Sequence, residues 1–213
     1  MKIKKLGHCC LFIEIENLKI LTDPGAWTDY PIDLPTVDII LITHEHQDHF
    51  HVSSLVSFLK VAPSARVITN KSVGALLDKE GIHYELLSHG ENKTFSGVLI
   101  EAFGEMHAEI YDTIGRVENT GYFIGEKLFY PGDAFTIPGK KVDVLALPVA
   151  GPWIKSKEAI DYAKEVKPRV VFPVHDAMLR DDRATPFYFV PTKALEGTGI
   201  EFVTLLAGEE KEF

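Results

Sequence analysis

Cysteine is scarce in this chain: there are two in 213 residues, Cys9 and Cys10, and they are adjacent. Neighbours on one strand point to opposite faces, so these two cannot easily bridge each other. Such thiols suit a reducing compartment and read as small strand residues, one facing the core, rather than as a redox or metal pair. No run of about 18 apolar residues occurs, so no membrane span is expected. The start, MKIKKLGHCCLFIEIE, alternates apolar and polar positions. That pattern is a strand's and lacks the apolar block of a signal peptide, so a cytoplasmic protein is expected. There is no Lys/Arg run, and the formal charge is −9. A partner that presents a phosphate backbone, a nucleic acid above all, is therefore not expected. Neither a repeat nor a linker interrupts the chain, so residues 1–213 read as a single domain.

What is present is ordinary globular composition, 46% hydrophobic and 25% charged. A chain of this length buries roughly 70% of its unfolded surface and needs no disulfides. Alternating or apolar runs predict strands at about 2–6, 9–16 and 18–23, with Glu16-Asn17 as a turn. Residues 37–43, VDIILIT, read as a strand buried on both faces. A polar loop at 44–50 leads into a helix with Val52, Leu55, Val56 and Leu59 as its apolar stripe, ended by Pro63. Further strands are expected at 66–69, 83–87, 92–95, 97–104, 120–125 and 127–131, with a helix at 71–80. The second part alternates a strand (142–149), an amphipathic helix (155–166), a strand (169–174), a Pro-interrupted helix (181–196) and a strand (200–206). This order suggests an α/β sandwich of two sheets with helices outside.

The chemistry is concentrated in Thr43-His44-Glu45-His46-Gln47-Asp48-His49, directly after a buried strand. His44 and His46 are two residues apart, and extended backbone would put both imidazoles on one face, where they can share an ion. Asp48 and His49 come as the chain turns into the helix and can aim at a neighbouring position. A site for two ions needs more ligands than one loop offers. His107, Asp133 and His175 each follow an apolar run and fall in a loop, where a rigid scaffold places functional groups.

Together with Gly7-His8, Leu21-Thr22-Asp23-Pro24, Gly132-Asp133, Leu147-Pro148 and Pro173-Val174-His175, this motif resembles the metallo-β-lactamase superfamily. Within it, the chain is similar to the small hydrolases near the ascorbate-6-phosphate lactonase and the UPF0173 group, over almost its whole length. The resemblance implies an αββα four-layer sandwich of two mixed β-sheets flanked by helices, with the site at one edge between the sheets. It implies that His44, His46 and His107 hold one metal, that Asp48, His49 and His175 hold a second, and that Asp133 bridges them. Two divalent ions are then expected, zinc first, with manganese, iron or nickel as alternatives for all-N/O ligation. Two such ions share a water and lower its pKa from 15.7 towards about 7, which suits hydrolysis of a small ester, lactone or phosphoester. Asp48 is the candidate catalytic residue, orienting the nucleophile and moving its proton.

Weaker candidates surround this set. Asp23 could accept a hydrogen bond from a ligand histidine and fix its tautomer, or form a plain Asp-Pro turn. His8 is either a substrate contact or a half-buried strand residue. Trp153, in Gly151-Pro152-Trp153, either walls a substrate pocket or covers the helix 155–166. His51, His83 and His89 read as surface or capping residues. Asp176 stands where the similar proteins often carry Tyr. Competing functions include a phosphodiesterase or nuclease of the same superfamily, and a non-catalytic metal-binding sensor domain; an oxygen-reducing di-iron protein, which pairs this fold with a flavin domain, is not expected in 213 residues. The acidic balance and the lack of a basic aromatic patch weigh against the first, and the complete set of seven ligand positions weighs against the second. A small-molecule substrate is the expected partner, and the sequence leaves homo-oligomerisation open.

Overall fold

The alternating start folds as an antiparallel meander, β1 (Lys2–Gly7), β2 (Cys10–Ile15) and β3 (Leu18–Thr22), with Glu16 at φ 53° in the tight turn between the last two. The computed structural model describes residues 1–31, 34–180 and 183–213. The first half of the chain continues with β4 (Ile39–Leu41), α1 (Val52–Val61), β5 (Arg66–Thr69), α2 (Lys71–Lys79) and β6 (Glu85–Leu86). Then come β7 (Asn92–Phe95), β8 (Val98–Phe103), β9 (Gly121–Ile124), β10 (Leu128–Tyr130), β11 (Val144–Pro148), α3 (Ser156–Val166), β12 (Val170–Val174), α4 (Thr185–Leu195), β13 (Glu201–Phe202) and β14 (Glu210–Glu212).

These strands form two seven-stranded sheets, ordered β14-β1-β2-β3-β4-β5-β6 and β13-β12-β11-β10-β9-β8-β7. Each is antiparallel in one half and parallel in the other, with β3 to β6 parallel in the first and β10 to β13 parallel in the second. Strand faces decide the layers. The central parallel strands β4, β11 and β12 are buried at every position, so they carry apolar residues on both faces instead of alternating. Ile13, Ile20 and Leu41 meet Ile100, Tyr122, Ala146 and Phe172 between the sheets. Ile40, Val67, Leu55, Phe58 and Leu77 join the first sheet to α1 and α2. Leu145, Val171, Ala159, Ala163 and Leu195 join the second to α3 and α4. The layers are therefore αββα.

Several expectations are corrected in detail. The strand expected at 37–43 pairs only at Ile39–Leu41, because Thr43 turns its polar groups into the loop that follows. In α1 the buried residues are Ser54, Leu55 and Phe58, while Val52, Val56 and Leu59 are only partly covered. Helix α4 starts at Thr185 with Pro186 in its first turn, where the missing N–H is harmless, and Pro191 is accommodated inside it. The expected start of that helix, 181–182, lies outside the described residues. Strand β14 has no counterpart among the expected strands. It is exposed and polar and forms by pairing Lys2 with Glu212 and Lys4 with Glu210. No helix of the described residues is long and apolar enough to cross a membrane.

Candidate metal centre

The loop after β4 carries the motif, and its backbone is folded back on itself rather than extended. His49 and Phe50 both donate to the His46 carbonyl, at 2.9 and 2.8 Å. The loop is fitted against residues 23–26. Ala26 N donates to Gln47 O at 2.8 Å, and a Cβ on Gly25 would lie 1.7 Å from Asp48 O, so only glycine allows this approach. On the other side Thr43 O accepts from Thr120 N at 2.9 Å and from Asn70 Nδ2 at 2.8 Å, which ties the loop to the second sheet and to the start of α2.

Three more loops enter from the second sheet. His107 follows β8, Asp133 follows β10 and His175 follows β12. Gly132, at φ 64°, makes the turn that presents Asp133, and a Cβ there would meet Asn119 Oδ1 at 2.4 Å. Asn119 holds that turn from both sides, donating to Pro131 O at 2.9 Å and accepting from Asp133 N at 3.0 Å. Ala108 N donates to Asp133 O at 2.7 Å, which binds the His107 loop to the Asp133 loop.

The seven residues of the implied ligand set meet at Asp133. His44 Nε2 lies 3.1 Å from His46 Nδ1 and 3.9 Å from Asp133 Oδ2. His107 Nε2 is 3.3 Å from the same oxygen. His49 Nε2 is 3.2 Å from Asp133 Oδ1 and 3.9 Å from Asp48 Oδ2. His175 Nε2 is 2.9 Å from Asp133 Oδ2 and 3.4 Å from Asp48 Oδ2. Among the described residues three groups could each hold a metal ion, His44-His46-His107-Asp133, His8-Asp48-His49-His175 and Cys9-His49-Asp133.

The outer ring nitrogens show which tautomers are present. His107 Nδ1 faces Ala108 O at 2.5 Å, and a carbonyl can only accept, so Nδ1 carries the proton. His49 Nδ1 donates to Asp23 Oδ2 at 2.7 Å. Thr43 Oγ1 gives its own proton to Asp23 Oδ2 at 2.7 Å and therefore accepts from His44 Nδ1 at 3.0 Å. In all three rings Nδ1 is held by an outer partner and Nε2 points inward, the orientation a ligating imidazole needs. His49 Nε2, His107 Nε2 and Asp133 Oδ1 are buried with no hydrogen-bond partner among the described residues. Two ligands about 2.1 Å from one ion at a tetrahedral angle are about 3.4 Å apart, so the observed spacings fit a shared divalent cation.

Burial works against charge throughout the cluster, and the facing groups decide the balance. Burial opposes ionisation of Asp133, but His49 and His175 outweigh it and hold its carboxyl well below the usual range. Burial pulls His175 down, but Asp133 and Asp48 push it up to about 10. Burial, then His49, drives His44 well below its ordinary value.

His8 is fully buried in the turn after β1, which corrects the reading of it as a half-buried strand residue. Its Nδ1 accepts from Ala177 N at 3.2 Å, so its Nε2 carries the proton and donates to Asp48 Oδ2 at 3.1 Å. Both nitrogens are thus committed, and His8 acts on Asp48 rather than offering a lone pair. Asp23 is fully buried and also accepts from Thr43 N at 2.7 Å and Tyr130 OH at 2.5 Å. Trp153 is buried with its ring 5.6 Å from that of His107, 5.8 Å from His175 and 5.4 Å from Phe135, which in turn packs on Tyr162 of α3. It therefore touches both the cluster and, through Phe135, the helix. His51 pairs with Ser54 at the start of α1, and His83 and His89 are exposed.

Sequence reasoning missed four contributors. Thr43 and Asn119 orient ligands through contacts that no motif advertises. Cys9, read only as a small strand residue, lies with its sulfur near His49 and Asp133 beneath the cluster. Lys5, 1% exposed, forms an ion pair with Asp176 at 2.6 Å and donates to Pro173 O at 2.9 Å, pinning both sides of His175.

A family model described as the beta-lactamase superfamily domain matches residues 2–175, and the chain belongs to this superfamily. A Mycobacterium tuberculosis protein is 34% identical over 193 residues, covering 88% of this chain and 90% of its own length. A UPF0173 protein of Pyrococcus abyssi is 32% identical over 184 residues, covering 82% and 83%. A second protein of that organism, named a UPF0173 metal-dependent hydrolase, is 27% identical over 230 residues, covering 100% and 99%. Among solved structures, a metallo hydrolase of Ignicoccus hospitalis superposes with a TM-score of 0.79 at 20% identity, covering 100% of this chain and 98% of its own. A metallo-beta-lactamase fold protein of Bacillus subtilis superposes at 0.74 and 15%, with the same coverage. These two likenesses concern the fold.

Proposed function

We propose that this protein is a metal-dependent hydrolase that uses two divalent ions to cleave a small ester, lactone or phosphoester. The observation that carries this reading is the convergence on Asp133 of inward-pointing Nε2 atoms from His44, His49 and His107, each ring set by a hydrogen bond at its Nδ1. His44, His46 and His107 would hold one ion, Asp48, His49 and His175 the other, and Asp133 both. When bound, such ions supply an acidified water and polarise the attacked oxygen. All donors in the two groups are nitrogen or oxygen, which suits zinc, manganese, iron or nickel. The names of the UPF0173 relatives support the same class.

The chain's own groups supply the rest. Asp48 is the most exposed carboxylate of the cluster, at 14%, and so can reach an incoming water. Its Oδ2 is fixed by the His8 Nε2–H, which orients the carboxylate to align the nucleophile and take up its proton. The Trp153 ring, against His107 and His175, excludes bulk water from one side of the cluster.

Elemental analysis of the purified protein tests this reading. Close to two divalent ions per chain are expected, with metal-dependent turnover of p-nitrophenyl acetate or bis-p-nitrophenyl phosphate lost in His46→Ala. A protein that takes up no metal at neutral pH would sink the proposal. Full metal content without turnover of either substrate would favour the sensor reading.

A further inference from the structure

A cavity of about 760 Å³ adjoins the cluster, and His8 is the residue the two share. His8 is among the lining residues, and its buried ring reaches Asp48 Oδ2 through Nε2–H at 3.1 Å. The Trp27 ring continues the wall from His8, with centroids 5.2 Å apart. Leu6, Leu179, Tyr188 and Leu206 complete the apolar part. Trp27 and Leu206 are 47% and 43% exposed, so large apolar side chains border the space without covering one another. The size falls within the range of small-molecule sites, which are mostly apolar with few polar groups.

The charges decide what kind of ligand fits. Three of the seventeen described lining residues are charged, Lys4, Asp29 and Asp176. The Asp176 carboxylate is already engaged by Lys5 at 2.6 Å and by Tyr188 OH at 2.9 Å. Lys4 and Asp29 are of opposite sign. Neither sign accumulates, and the described lining includes no pair of arginines to clamp a phosphate.

We infer that this cavity binds the non-reacting part of the substrate and selects an apolar, uncharged acyl or aryl group, so that the substrates are apolar esters or lactones rather than sugar phosphates. The inference rests on the hydrolase reading for its chemistry and on the cavity for its selectivity. A chain entering the cavity gains burial with each methylene, at most about three- to fourfold in kcat/KM per carbon.

Two measurements separate the parts. First, the uncharged fluorophore N-phenyl-1-naphthylamine is titrated into the metal-free protein. Saturable binding is expected, weakened at least about fivefold in Leu206→Arg and unchanged in Val190→Lys, which lies on α4 outside the lining. Second, the metal-loaded protein is assayed on p-nitrophenyl acetate, butyrate, hexanoate and octanoate. The kcat/KM should climb along the series, and the octanoate-to-acetate ratio should fall about tenfold in Leu206→Arg. Absent or Leu206-independent probe binding overturns the inference, as does turnover indifferent to chain length, and the latter leaves the hydrolase reading standing. Probe binding lost in Leu206→Arg with neither these esters nor bis-p-nitrophenyl phosphate turned over overturns the hydrolase reading and leaves the apolar site standing, and turnover of the phosphodiester alone overturns the inference.

Discussion

The His44-His46-His107 group and the Asp48-His49-His175 group share Asp133 but are backed by different chemistry. Behind the first stand neutral acceptors, the Thr43 hydroxyl at His44 and the Ala108 carbonyl at His107. Behind the second stands charge, the buried Asp23 carboxylate on His49, while His8 braces Asp48. The first group has one carboxylate, Asp133, and a half-buried member, His46. The second adds Asp48 and the field of Asp23. An anionic partner raises the basicity of a ligating imidazole, so the second group should hold its cation more tightly. The lesson is that equal ligand counts do not make equal sites, because the partner beyond the ligand sets its donor strength.

The strongest way to break the comparison is to remove what the groups share. Asp133→Ala should abolish both sites, with metal content falling from near two towards none and turnover falling at least about 10³-fold. Removing Asp23 should break the groups apart. In Asp23→Ala, Thr43 N, Thr43 Oγ1, Tyr130 OH and His49 Nδ1 lose one buried acceptor. Urea unfolding should show a loss of about 3 kcal/mol. Metal titration should show the second ion weakened by about 10- to 100-fold, and the first, whose His44 reaches Asp23 only through the Thr43 hydroxyl, weakened less. Graded chelation of the wild type should release the ions in order, the first group's before the second's. In His46→Ala only the late phase should remain, and in His175→Ala only the early one.

A finer test concerns His8. His8→Gln can still donate to Asp48, and His8→Ala cannot, so kcat should fall roughly tenfold more in the latter while metal content stays near two. The smallest effect lies outside the cluster. Glu85, hydrogen-bonded by Arg66 and flanked by Lys93, is held down to about 2. Its folded value lies below its unfolded one, so its contribution is present above about pH 4.5 and lost as pH falls towards 2. Glu85 is partly covered but its partners Arg66 and Lys93 are exposed and solvent-screened, so Glu85→Gln should cost under about 1 kcal/mol at pH 7 by thermal unfolding. A cluster substitution costing as little would show that the two groups are no more built than a surface pair.

The seven candidate ligands were legible because each follows an apolar strand or crowds into one loop, and that pattern survives in one dimension. Asp23 was legible as a strand-end acceptor for a ligand histidine, though its other donors, Thr43 N, Thr43 Oγ1 and Tyr130 OH, were not. Asn119 was invisible, since its role rests on Pro131 and Asp133, more than ten residues away and brought back by a hairpin. The Lys5–Asp176 pair spans 171 residues, and a lysine in a strand otherwise reads as surface. Strand β14 was illegible because Glu-Lys-Glu carries no apolar alternation, and its order comes from the charges and backbone of β1.

By itself the sequence determined the layered α/β class and the residue types of the candidate metal site, because hydrophobic periodicity and ligand spacing are local properties. Only the tertiary structure decided which ring nitrogen faces inward, that His8 braces Asp48, and that an apolar cavity lies against it. Those depend on hydrogen bonds and packing between segments far apart in the chain, and such contacts exist only once the two sheets have closed on each other.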